Sequence, residues 1–289
     1  LSAVIVSEST PVGNELHGDG RPDYLADAWQ RLEWANGDGQ TFSDLGQWFM
    51  EASAYAIWVE HQGDRWQATF RRLCDPAVEQ EKLTELARAL GSFLDHSRAA
   101  LNYVVYQLAL LAIRENPALN SPDLPSRQRL RPETVEYPIV RKREYFDSHN
   151  GIRNLPDKYR DFIEAKQPYD GEDQRLWVLN ELAREYRHRL VHAIAISPVE
   201  NLHHVLVNDQ IVPTPDMEIV PHEHLKDGDV IMRFSLPGID PDAHVHPQVV
   251  ITVGIDHPLG RGIVGTSVLN DIRAVVGAVM AEVEAEFLP

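Results

Sequence analysis

Arg187 and His192 form an Arg-x4-His pair whose groups suit the cleavage of a phosphodiester. A guanidinium binds and neutralises a phosphate through forked donors, and an imidazole near neutral pKa moves the proton of a 2′-hydroxyl or a leaving group. RNA supplies both the phosphate and the hydroxyl, so such a pair needs no metal and leaves a 2′,3′-cyclic phosphate. Arg184, His188 and Arg189 fall in the same nine residues, and crowding of this kind requires anionic neighbours or an anionic ligand. On one ideal helix Arg187 and His192 point about 140° apart. They then converge only through side-chain reach, a helix irregularity or a dimer partner. Arg184, His188 and His192, at i, i+4 and i+8, are the better aligned trio.

The same residues admit other readings. Arg184, Arg187 and Arg189 can pair with Asp95, Glu181, Glu185 or the acidic C-terminal helix, leaving His188 and His192 to fix helix packing. Asp95 and the adjacent His96 are natural partners for the cluster, Asp95 either orienting an imidazole or closing a salt bridge, and the salt bridge is the expectation. His188-x3-His192 also has the spacing for two imidazoles on one metal. His203-His204, His222-x-His224, His244-x-His246 and His257 follow, and a His-x-His on a strand puts both rings on one face. With no Glu between the helical pair and no cysteine partners, no familiar zinc-enzyme pattern results. Solvated turn histidines are therefore expected, and no metal or cofactor is assigned.

The elements that must position these groups are legible from periodicity. Gln174 to Ser197 reads as one amphipathic helix, with Leu176, Leu179, Leu182, Ala183, Tyr186, Leu190, Val191 and Ile194 on its core face. Pro76 to Asn116 reads as a long helix stopped by Pro117 and Pro122. Residues 121–153 read as a mostly irregular connection with basic stretches, and Pro156 to Lys166 as a short helix. Toward the N-terminus, Tyr24 to Ala35 and Ser43 to Ala52 read as two helices separated by Asn36-Gly37-Asp38-Gly39. A hairpin follows, turning at Gln62-Gly63-Asp64. After Pro198 the runs His203–Val212, Val230–Leu236 and Val245–Val253 read as antiparallel strands. Thr266 or Ser267 then opens a closing helix. Gly254 to Gly265 reads as the loop into that helix, its spacing fitting neither the Walker nor the dinucleotide fingerprint.

Elements in blocks rather than strict alternation predict an α+β fold. The expected core is a helical bundle made from the long, central and C-terminal helices, with a flanking antiparallel β-sheet. Residues 1–22, rich in Ser, Pro, Gly and acid, read as a flexible arm. Residues 23–289 read as a single domain, with the helical core at about 76–197 and the β segment and closing helix at about 198–289.

Several segments resemble a family of uncharacterised bacterial proteins with a Lys/Arg-His-Arg-x-x-His helix. They are Arg98-Ala99-Ala100-Leu101-Asn102, Tyr137-Pro138-Ile139, Gln167-Pro168-Tyr169, and Leu179-Asn180-Glu181-Leu182 followed by Arg187-His188-Arg189-Leu190-Val191-His192. Asn102 stands where that family has aspartate and Arg187 where it has lysine, and the family brings no activity with it. The chain also resembles, more distantly, the HEPN superfamily of helical bundles, many of them metal-independent endoribonucleases with an Arg-x(4–6)-His motif assembled across a dimer. That resemblance implies that Arg187 holds phosphate, that His192 is the acid or base and that His188 is the polar residue after the arginine; Arg184, His188 and Arg189 are the candidate binding residues beside them, with Asp95 and His96 as candidate supports. It also implies a homodimer. The rival expectation is a non-catalytic bundle that binds a partner or nucleic acid.

Composition bounds these readings. The chain has 289 residues and a net charge of −17, which argues against a general nucleic-acid or membrane-surface coat. Residues 126–192 are the exception, with 14 Lys and Arg against 12 Asp and Glu. The lone Cys74 excludes an intramolecular disulfide, follows an apparent strand and is expected to be a buried, inert thiol. No secretory signal is evident, and the most apolar run, Val104 to Ile113, is shorter than the ~20 residues a bilayer requires. A cytoplasmic protein without membrane association is expected.

Overall fold

The computed structural model describes residues 24–50, 54–169, 173–188, 193–198, 204–208, 210–214, 216–220, 225–240, 243–248, 251–255 and 266–288. The fold is α+β. In chain order the elements are α1 (Ala26–Met50), β1 (Tyr55–Gln62), β2 (Arg65–Arg72), α2 (Pro76–Glu115), α3 (Arg143–Asp147), α4 (Asp157–Glu164), α5 (Arg175–His188), β3 (Ala193–Pro198), β4 (His204–Val207), β5 (Gln210–Val212), β6 (Glu218–Ile219), β7 (Val230–Phe234), β8 (Val245–Gln248), β9 (Ile251–Ile255) and α6 (Thr266–Phe287). The long helices α1, α2 and α6 pack together, and the strands pair antiparallel in the orders β1-β2-β7-β6, β3-β9 and β5-β4-β8. The proposed N-terminal arm lies outside the described residues.

Two compact units make up the chain, one from Leu1–Glu33, Ala99–Tyr169 and Val276–Pro289, the other from Trp34–Arg98 and Asp170–Val275. In the first, the start of α1 meets the end of α6. Trp29 donates its indole N–H to Glu284 at 2.6 Å, and Gly277 leaves room for Leu32. Tyr159 and Phe162 of α4 meet the Phe287 ring edge-on at 5.1 and 5.3 Å. The irregular segment after α2 is held by side-chain amides. Asn102 of α2 accepts the Tyr137 N–H at 3.0 Å. Gln167 accepts the Val140 N–H and donates to the Pro138 carbonyl, both at 3.0 Å. The backbone of 137–140 thus finds in two amides the hydrogen bonds that a sheet would otherwise supply. Three of the segments that carry the family resemblance therefore meet in one polar clamp.

In the second unit the hairpin forms where expected. Gln62 pairs with Arg65 across a two-residue turn, and Gly63 takes φ +68°, a conformation cheap only without a Cβ. The start of α2 is anchored by buried Glu79, which meets Arg72 Nε at 3.0 Å and accepts the Tyr55 hydroxyl at 3.1 Å.

Two expected boundaries are corrected. α1 runs unbroken through Asn36-Gly37-Asp38-Gly39, although each glycine costs a helix about 1 kcal/mol relative to alanine. Tertiary contacts offset that cost. Asn36 accepts from Arg273 at 2.7 Å, Asp38 meets His96 at 2.9 Å, and Gly39 lies close to the Phe93 ring. The apolar stripe Ala28, Ala35, Phe42, Phe49 also continues at seven-residue steps across the glycines, all four buried. The second correction falls on Gln174–Ser197. Its helix is α5, ending at His188, and Ala193–Pro198 is strand β3, paired with β9. Ile194 is thus a strand residue, while His192, the last of the Arg184, His188 and His192 trio, lies outside the described residues.

Candidate functional site

Helix α5 buries Leu176, Leu179, Leu182 and Ala183, the first part of the expected stripe. Tyr186 fixes its position on α2. A Cβ built at Gly91 would fall 1.7 Å from the Tyr186 ring, so the phenol occupies the space that any other α2 residue would fill. This contact holds the cationic end of α5 beside the middle of α2.

Of the predicted cluster, Arg184 is described in full. It lies largely exposed, 62% for its side chain, and pairs one turn back with Glu181, whose side chain is only 9% exposed. Buried Glu181 therefore has a cation at its mouth. Arg187 and His188 end α5, their side chains lying outside the described residues, as do Arg189 and His192 entirely.

Of the supporting pair, His96 is half-buried with Nδ1 2.9 Å from Asp38 Oδ2, and the Trp34 ring lies 5.5 Å from its own. Asp38 orients this imidazole, the role considered for Asp95, which is exposed on α2. Arg184 and His96 thus have separate acidic partners. Asp38 escaped the sequence reading because a Gly-flanked aspartate suggests a turn. The signal that could have found it is the seven-residue apolar stripe of α1, which places it inside a helix.

A second polar centre lies at Tyr55, Arg72 and Glu79. Burial, then the Glu79 carboxylate, holds the Tyr55 phenol far above its ordinary pKa. The same two causes raise the neighbouring Cys74 thiol, which is half-buried rather than buried. A thiol held protonated in this way is a poor nucleophile, in keeping with an inert Cys74.

Among the described residues no three or more His, Cys, Asp or Glu side chains converge as metal ligands. His244, just before β8, and His246 within it have their rings edge-on at 4.3 Å. His203, His222, His224 and His257 lie outside the described residues. Also among the described residues, no helix is long and apolar enough to cross a membrane.

No family model matches the chain, and neither a curated protein nor a solved structure matches it.

Proposed function

We propose that this is a non-catalytic α+β bundle protein that binds a partner, with RNA the first to test, and that the cations around α5 serve packing. The observation that carries this reading is the engagement of Arg184 by Glu181 and of His96 by Asp38. A phosphate-cleaving site presents its cations to substrate, whereas these two side chains are occupied by the chain's own carboxylates. RNA is favoured as partner by the segment between α2 and α4, where Arg127, Arg131, Arg141, Lys142 and Arg143 are exposed together with the Tyr145 ring. Cations beside an exposed aromatic ring suit phosphate contact plus base stacking, and Lys142 already lies over the Tyr145 ring at 6.0 Å. Arg131 and Lys142 have acidic neighbours, but exposed pairs of this kind are worth at most about 1 kcal/mol and yield readily to phosphate, whereas Arg143 is held by the half-buried Glu164.

A second reading is metal-independent RNA cleavage by Arg187 and His192, acting in a homodimer. Its support is the Arg-x4-His spacing itself, and His192 lies outside the described residues.

One experiment separates the two. Labelled RNAs of varied sequence are incubated in EDTA with the wild type, Arg187→Ala and His192→Ala, each confirmed folded by circular dichroism, and binding is followed by anisotropy over a salt series. The expected result is salt-sensitive binding without cleavage. Cleavage by the wild type that both substitutions abolish would overturn the non-catalytic reading and establish the nuclease. Neither binding nor cleavage across the RNAs would sink RNA as the partner.

A further inference from the structure

The second compact unit contains a small crevice whose walls are two matching polar stripes. Asn36, Gln40 and Ser43 follow one another at i, i+4 and i+7 on α1, and Thr266, Asn270 and Arg273 repeat that spacing on α6. Spacings of four and three residues stack side chains on one helix face, so each helix presents three polar groups to the same space. Its volume is about 70 Å³. Drug-sized ligands occupy about 300–1,000 Å³, so the crevice fits an ion of a few heavy atoms.

The chemistry of the walls selects the sign of that ion. None of the described lining residues is acidic, and Arg273 contributes a full positive charge. Its Nη1 donates to the Asn36 side-chain oxygen at 2.7 Å, which orients the guanidinium and leaves both Asn36 amide N–H groups to offer. Ser43, Thr266 and Asn270 add hydroxyl and amide donors. Gln40 donates to Asp44 at 2.7 Å, so that carboxylate is engaged by the wall itself. Phe93 and Leu269 are buried beneath. Gly39 lets α1 approach the Phe93 ring, a Cβ there lying 3.4 Å from it. An apolar base under oriented donors strengthens their attraction for negative charge. In a chain of net charge −17, a cationic crevice free of carboxylates among its described walls is out of keeping with the average surface.

We infer that this crevice binds a small oxyanion, held by the Arg273 guanidinium and the amide and hydroxyl donors of the two stripes. The inference is independent of RNA binding, because its residues lie apart in sequence from the basic segment between α2 and α4.

The test is thermal denaturation and titration calorimetry of the full chain with inorganic phosphate and, in a separate arm, acetate, at ionic strength fixed with sodium chloride. Saturable stabilisation by phosphate identifies a tetrahedral oxyanion, and saturable stabilisation by acetate alone identifies a carboxylate. Arg273→Gln should weaken binding about tenfold or more, the change that loss of a charge-assisted hydrogen bond brings. Ser43→Leu, which fills the crevice, should abolish it, while Arg88→Gln, an exposed cation elsewhere on α2, should leave it intact. A response no greater than that to sodium chloride, or one that survives both Arg273→Gln and Ser43→Leu, would overturn the inference.

Discussion

Glu79 shows how one acidic side chain organises three elements. It lies in the first turn of α2, faces Arg72 on β2 and accepts the hydroxyl of Tyr55 on β1. Removing it leaves a partly buried guanidinium and a buried phenol without their acceptor, so Glu79→Ala should cost about 3 kcal/mol in denaturant unfolding. Glu79→Gln, which keeps an acceptor, should cost less. Tyr55 gives the pH dependence. Its folded pKa is raised, by burial first and by Glu79 second. The stability it supplies is therefore full below the unfolded value near pH ~10 and is lost as pH rises above it. The wild type should lose melting temperature in alkali more steeply than Tyr55→Phe, with tyrosinate absorbance appearing late. Equal alkaline slopes in the two proteins would disprove this account. Asn102 and Gln167 act at the same scale. They were singled out by resemblance, and the hydrogen bonds they make to Tyr137, Pro138 and Val140 give them a backbone-holding role.

Among the elements, the contact of α5 with α2 is the most sharply specified. Gly91 has no room for a methyl group because Tyr186 fills it. Gly91→Ala should destabilise by about 1–3 kcal/mol through overpacking. In a Tyr186→Ala background the same substitution should stabilise by up to about 1 kcal/mol, since alanine is the better helix former. That reversal of sign in a double-mutant cycle is the measurement, and destabilisation in both backgrounds would refute the packing explanation.

Element by element, legibility followed how local the physics is. The β1–β2 turn was readable because Gly63 alone supplies the positive φ. The long helix was readable because Leu86, Leu90, Phe93, Leu94 and Leu101 keep one period and are all buried. The helix through Asn36-Gly37-Asp38-Gly39 was not, because contacts with Arg273, His96 and Phe93 lie far away in sequence. The end of α5 was missed for another reason. Leu190, Val191 and Ile194 continue a helical stripe, yet Ala193-Ile194-Ala195-Ile196 also alternates with the period of a strand. Pairing with β9 decides between the two periods. Of the candidate site, the cations were legible as residue types, but their partners were not, since Asp38 and His96 are joined only by tertiary packing.

At the scale of the whole molecule, a charge of −17 works against compactness through self-repulsion. Salt screens such repulsion over about 10 Å at 0.1 M. Melting temperature should therefore rise with sodium chloride from low ionic strength to physiological, the opposite of what a fold dependent on surface ion pairs would show. A fall in melting temperature over that range would mean that pairs such as Lys158–Glu115 and Arg72–Glu79 outweigh the net charge.

The unbroken course of α1 bears on how the protein ages. Asn-Gly is the dipeptide whose side-chain amide is lost most readily, because the glycine N–H can curl back on the asparagine carbonyl carbon to form a succinimide. Inside a helix the backbone cannot make that turn, and the Asn36 carbonyl is further restrained by Arg273. The fold therefore shelters Asn36-Gly37 from deamidation. A molecule whose first helix loosens there would acquire, irreversibly, a new carboxylate facing Arg273.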